Sequence, residues 1–219
     1  MESTSDAGLF SEVISGATTL LQLGGPVVGI LLLSSVLGLA LALVKFIQFS
    51  GAGNATIKRL DVAIDHWLAG EKDKATGILT GSRLAIAKDL KFGLEQRSVM
   101  DADLLHDELL RRASGFLRAY SRNMRPLELI YYLAPVLGLL GTVLGMIDAF
   151  RGLAVSAGAA GESSALASGI WEALLTTAVG LSIAIPFAVM HALLEARLEG
   201  LADQVTDLVT RILTMSEDA

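Results

Sequence analysis

The sequence predicts an all-α integral membrane protein with three transmembrane helices, the second and third extended into a cytoplasmic helical bundle. Three observations carry that prediction. The 219 residues are 53% hydrophobic, with a mean hydropathy of +0.58, too apolar for an ordinary soluble domain. Three apolar stretches each reach the roughly 20 helical residues that cross a hydrocarbon core about 30 Å thick. The basic residues are also unevenly spread. Fourteen of the 17 Lys and Arg lie between Lys45 and Arg125, Arg197 and Arg211 follow the third stretch, and only Arg151 separates the second from the third. Since cytoplasmic segments collect Lys and Arg, the region 47–125 and the C-terminus are expected inside, and the N-terminus and the second connection outside.

In chain order, residues 1–21 read as an outward-facing N-terminal segment. Met1 to Val44 contains no Lys or Arg, so no basic segment opens a signal peptide, and the first apolar stretch is expected to remain in the mature protein. The first transmembrane helix is expected at 22–46. It has no ionisable residue between Glu12 and Lys45, which makes it lipid-facing support. Residues 47–125 are too many for a loop, and their apolar positions recur at three- and four-residue spacing, so they read as a cytoplasmic helical region. Breaks are expected at Gly51–Gly53, Gly70 and Gly81. Ser82 and Ser98 suit helix N-caps, and Ser98 followed by Asp101 has the spacing of a weak capping box.

From Ser98 to about Gly152 the pattern stays helical. One bend is expected at Pro126, which lacks an amide donor, so a single rod should enter the membrane as the second transmembrane helix, 126–152. A periplasmic loop at 153–168 and a third transmembrane helix at 169–194 follow. The C-terminal helix, 195–219, continues an apolar seam of Leu194, Leu198, Leu201, Val205, Leu208, Ile212 and Met215, whose alternating spacings of four and three serve either packing on the chain's own helices or a coiled coil between subunits.

Composition excludes several functions. With a net charge of −6 and no dense basic run, no nucleic-acid partner is expected. The absence of cysteine removes disulfides and thiolate metal sites, and His66, His106 and His191 are scattered, so neither a metal nor a cofactor is expected.

The chemistry concentrates in the second and third apolar helices. Gly138, Gly141, Gly145 and Ala149 form a smooth stripe at helical spacing, and Gly169, Ala173, Thr177, Gly180 and Ala184 form another, each suited to close approach of a second helix. A phosphate-binding loop is excluded, because no strand precedes the glycines and no Gly-Lys-Ser/Thr closes them. Pro135 leaves the carbonyl of Tyr131 without its helical donor, which in lipid must be satisfied by a neighbouring helix, a hydroxyl or water. Glu172 lies about one turn inside the outer end of the third helix. Such a carboxylate costs several kcal/mol against lipid, so it either faces protein or a hydrated cavity, or marks a helix N-terminus where the peptide dipoles favour it. Thr142 and Thr177 fall at nearly one depth, because the two helices run in opposite directions at about 1.5 Å per residue. They either face one space or bond back to their own helices; Thr176 and Ser182 are assigned to such back-bonding.

These residues resemble the ExbB/TolQ/MotA family of inner-membrane proton-channel proteins, most of all its ExbB/TolQ branch. The matching text is Ala134-Pro135-x-x-Gly138-Leu139-x-Gly141-Thr142-Val143-x-Gly145-Met146 and Gly169-Ile170-x-Glu172-Ala173-Leu174-x-x-Thr177-Ala178-x-Gly180-Leu181, closed by Ile185-Pro186. Three spans, rather than the four of a MotA-type subunit, agree with that branch. The resemblance implies a bacterial inner-membrane homo-oligomer, pentameric in this family, with its N-terminus periplasmic and C-terminus cytoplasmic. It further implies a single-span partner similar to ExbD or TolR that brings a transmembrane aspartate, and a TonB- or TolA-like protein that receives the motion. Thr142, Glu172 and Thr177 correspond to the family's polar pore-lining residues, and Asp148 to a variable position that is often polar. The implied role is not enzymatic: it couples the proton motive force to an envelope process. A purely structural scaffold and a Na+-coupled relative are the alternatives.

Overall fold

The computed structural model describes the backbone of residues 3–155 and 162–214. Among them the secondary structure is wholly helical: α1 (Ser3–Gly51), α2 (Asn54–Leu68), α3 (Lys72–Gly81), α4 (Ile86–Gln96), α5 (Ala102–Ser121), α6 (Met124–Val155) and α7 (Glu162–Thr214). Three helical stretches are long and apolar enough to cross a membrane, within Gly24–Leu68, Ala102–Ala154 and Leu166–Thr214. The chain divides into two compact units, one of Met1–Ala42 with Arg125–His191 and the other of Leu43–Met124 with Ala192–Ala219.

In the first unit α1 is broken at Gly25, whose φ of 62° and ψ of −162° are outside the helical region. Pro26 explains the position: its ring disfavours helical backbone in the residue before it, yet its own fixed φ starts a helix well. Past the break, Val27 and Leu31 of α1 pack with Ala134 of α6 and Ala184 of α7, flanked by Leu137, Val179 and Ile183. A methyl group on Gly38 would stand 2.6 Å from the Phe187 ring and 2.7 Å from Ile130, so glycine there lets α1 approach both neighbours. The first apolar helix is therefore more than lipid-facing support. Val27, Val28 and Leu31 are buried, while Ile30, Leu33, Val36 and Leu37 are exposed.

The second unit has a core of Leu60, Ile64, Leu79, Ile86, Leu90, Leu109, Val205, Leu208 and Ile212, all essentially without solvent contact. Each such side chain contributes about 1.5–3 kcal/mol by leaving water. Leu194, Leu201, Val205, Leu208 and Ile212 are all buried within the single chain, which accounts for the seam on α7 by intramolecular packing; Met215 lies outside the described residues. Polar bonds hold the same contact. Arg211 pairs with Asp61 and Asp65 of α2, Gln204 with Asn54, and Arg97 donates to the Ile212 carbonyl.

Local details depart from the sequence reading. The rod expected from Ser98 to Gly152 is two helices, interrupted at Arg122–Asn123, where Asn123 takes a φ of 65°. Pro126 is not the bend; it sits in the first turn of α6, where a missing amide leaves no helical bond unmade. The cap of α5 is Asp101, not Ser98, its carboxylate accepting from the amides of Asp103 at 3.0 Å and Leu104 at 3.3 Å. Ser82 closes α3, and its hydroxyl accepts from Leu84 at 3.3 Å instead of capping α4, which starts at Ile86. Helix also occupies part of the expected 153–168 loop, since α6 runs to Val155 and α7 begins at Glu162.

Candidate functional site

The candidate site lies in the first unit, where α6 and α7 meet along their small residues. The two stripes are each other's partner. A methyl group on Gly138 would stand 3.0 Å from the Thr176 carbonyl and 3.1 Å from the Thr177 Cα; one on Gly145 would stand 3.2 Å from Ala173 and from the Gly169 carbonyl. On the facing helix, a methyl on Gly180 would come to 2.6 Å from the Ala134 carbonyl, and one on Gly169 to 2.4 Å from the Ala149 Cβ. Most of these neighbours are backbone, which cannot move aside as a flexible side chain would. Glycine here sets the helix separation, and the gain is close van der Waals contact in a setting where lipid is no less apolar than the side chains.

Three threonines are fixed along this contact by carbonyl oxygens. Thr177 donates to the Gly138 carbonyl across the contact at 3.2 Å. Thr142 donates back to Leu139 of its own helix at 2.6 Å. The hydroxyls of Thr142 and Thr177 thus end on adjacent carbonyls of α6, and both side chains remain partly accessible. Thr142 also opens onto a shallow groove lined by Val143, Met146, Ile147, Phe150 and Arg151.

The back-bond expected of Thr176 is present, and a contact with α6 accompanies it. Thr176 is buried, donates to Ala173 at 2.7 Å and shares the Gly138 carbonyl at 3.2 Å. A methyl on Gly141 would collide with it at 2.5 Å, so Gly141 is the notch that receives this side chain. The signal was present in the spacing: Gly169, Ala173, Thr176 and Gly180 step by four, three and four, which is the seam facing α6, and Thr177 stands one position round the helix.

Glu172 is half-buried. Its Oε1 lies 3.0 Å from the place a Cβ on Gly25 would occupy, beside the break in α1. Asp148 stands apart. It is 75% exposed and 3.9 Å from the equally exposed Arg151, so it belongs to the surface of α6 rather than to the contact with α7. His191 is buried with its ring 5.4 Å from that of Tyr131. Among the described residues no cluster of His, Asp and Glu could hold a metal ion.

Three long apolar helices, two of them joined along reciprocal small-residue stripes, define the class as an α-helical membrane protein with transmembrane helices. Residues 83–207, more than half of the chain, match the sequence profile described as the MotA/TolQ/ExbB proton channel family. The chain belongs to that family. It is 46% identical over 67 residues to the biopolymer transport protein exbB1 of Vibrio cholerae, covering 31% of this chain and 29% of that protein. It is 37% identical over 100 residues to a putative biopolymer transport protein ExbB homolog of Methanothermobacter thermautotrophicus, covering 46% and 33%. With the Tol-Pal system protein TolQ of Pseudomonas aeruginosa it shares 49% over 53 residues, covering 24% and 22%. These relatives place the chain toward the ExbB/TolQ branch, and the match spans a third or less of each.

Proposed function

We propose that the chain is a wall-forming subunit of an inner-membrane proton channel that turns the proton motive force into movement for biopolymer transport or a Tol-Pal-like system. The observation that carries this reading is the pair Thr142 and Thr177, two partly accessible hydroxyls ending on neighbouring carbonyls of one tightly packed helix pair in a chain of this family. Threonine does not release a proton near neutral pH. The hydroxyls would hold water or an incoming carboxylate, and Glu172 would tune the outer entrance. The carboxylate is assigned to a single-span partner similar to ExbD or TolR, enclosed by a homo-oligomer, pentameric by family resemblance. A TonB- or TolA-like protein would take up the motion. Each proton crossing 100 mV releases about 2.3 kcal/mol for that work. In this reading the N-terminus and the connection after α6 face the periplasm, the region 47–125 and the C-terminus face the cytoplasm, the second and third transmembrane helices extend into a cytoplasmic bundle, and the exposed leucines of α1 meet lipid.

The test is proton flux into vesicles containing the full-length chain and the single-span protein that co-purifies with it. Thr142→Val, Thr177→Val and Glu172→Gln should each abolish most of the flux while the oligomer still purifies. A scaffold without conduction is the second reading, favoured by the fact that both hydroxyls already have carbonyl partners; unchanged flux in all three variants would establish it. Flux that persists only when Na+ is present would identify the Na+-coupled relative.

A further inference from the structure

We infer that Gly25 of the first transmembrane helix is a positioning residue for Glu172 of the third, an inference that rests on the proposed role of Glu172 in the proton path. Two independent features coincide at one point. The first is the backbone: with φ at 62° and ψ at −162°, residue 25 occupies a region essentially open to glycine alone. Pro26 enforces the departure from helix, since its ring crowds the backbone of the residue before it. The second is the neighbour. Among the described residues, and leaving aside its chain neighbours and the nearby backbone of its own helix, the heavy atom that a Cβ built on Gly25 would meet is Oε1 of Glu172, at 3.0 Å. The carboxylate therefore occupies the side of the chain that the break exposes and the missing side chain leaves open.

A glutamate reaches its carboxylate through three rotatable bonds, so a fixed helix does not by itself fix the oxygens. The open side of Gly25 gives those oxygens room that any larger residue would take. Asp148, another carboxylate of this unit, lies exposed beside Arg151. The first helix thereby acquires a role in the site through its backbone alone, which is why no polar residue of 22–46 announced it.

The experiment uses the full-length chain in vesicles, with and without its co-purifying single-span partner. The carboxyl band of Glu172 is identified by infrared difference against Glu172→Gln. Gly25→Ala should shift that band and lower proton flux about tenfold or more, the usual consequence of displacing a functional group by about an ångström. Adding Glu172→Asp, whose side chain is one carbon shorter and clears the new methyl, should restore several-fold of the flux lost in Gly25→Ala. A role confined to folding would leave Gly25→Ala unrescued, and that result overturns the inference. If Gly25→Ala does not fold, Pro26→Ala decides: it keeps the glycine, lets α1 straighten, and should shift the same band. An unmoved band in Pro26→Ala also overturns the inference. Full flux in Glu172→Gln would instead remove the pathway role, leaving the band shift to uphold or reject the seat by itself.

Discussion

Thr176 of α7 shares its hydroxyl proton between the Ala173 carbonyl of its own helix at 2.7 Å and the Gly138 carbonyl of α6 at 3.2 Å, while its side chain fills the notch left by Gly141. The bond and the notch make separable contributions. Thr176→Val keeps the shape and removes the hydroxyl, and interhelical hydrogen bonds in membranes average about 0.6 kcal/mol with a maximum near 1.7. Gly141→Ala keeps the hydroxyl and fills the notch, for which overpacking costs about 1–3 kcal/mol. Thermal unfolding of the purified protein in detergent should rank Gly141→Ala as the more damaging. The reverse order would mean that the hydroxyl, not the fit, holds the pair.

Gly180 of the α6–α7 contact and Gly115 of α5 should respond to alanine with opposite signs. At Gly180 the added methyl meets the Ala134 carbonyl at 2.6 Å, whereas at Gly115 in α5 nothing lies within 4 Å. Gly180→Ala should separate the helices and lower stability by about 1–3 kcal/mol. Gly115→Ala should raise it by roughly 0.5–1 kcal/mol, the helical preference of alanine over glycine. Denaturant titration of each variant reads both changes, and a loss at Gly115 would contradict the open surface assigned to it.

The contrast between those glycines also shows what was legible in the sequence. The stripes on α6 and α7 could be read from spacing, because side chains at i, i+3 and i+4 share a helix face regardless of what they face. Their partner could not: a smooth face records that something approaches closely, not which helix does. The Gly25 break was hidden for a related reason, since Gly-Pro in an apolar stretch reads as either a kink or a helix start, and its neighbour Glu172 is nearly 150 residues away. The cap of α5 went to Asp101 over Ser98 because both satisfy the composition rule and only the backbone at 97–100 decides. The back-bond of Thr176 to Ala173 follows from the ordinary habit of a helical threonine, whereas its additional contact with Gly138 depends on its place in the four-three-four seam.

Acidification should act on α5 through Glu108. Its carboxylate accepts from Arg111 at 2.7 Å and from Arg112 at 2.7 Å, and Arg112 continues to Asp89 of α4 at 3.2 Å. The bond from Arg111, then that from Arg112, hold the Glu108 pKa at about 2, down from an ordinary 4.5. A depressed folded-state value means that the stabilisation is fully present above the ordinary value and fades as pH falls from there toward about 2. Wild type and Glu108→Gln should therefore differ in α5 hydrogen exchange at pH 6 and converge near pH 2. A difference that persists undiminished at the acid end would place the effect elsewhere than in this carboxylate.

The chain breaks between α5 and α6 at Arg122–Asn123. Lys45 is buried, and its ammonium donates to the Tyr120 carbonyl at 2.6 Å and to the Gln48 side chain at 2.8 Å. A cation at the end of α5 satisfies a carbonyl that the interrupted helix leaves without an amide. Three residues on, Asn123 holds the left-handed backbone that turns the chain out of α5. The two residues should fail in different ways. Lys45→Met preserves the apolar stem but strands the carbonyl, which costs about 1–3 kcal/mol. Asn123→Gly should be tolerated, while Asn123→Ala should lose up to about 1–2 kcal/mol, because alanine keeps the Cβ that crowds the following carbonyl at positive φ without the short polar side chain that lets asparagine adopt it. Equal stability of the Gly and Ala variants in a denaturant titration would show that the chain passes from α5 to α6 without the left-handed turn.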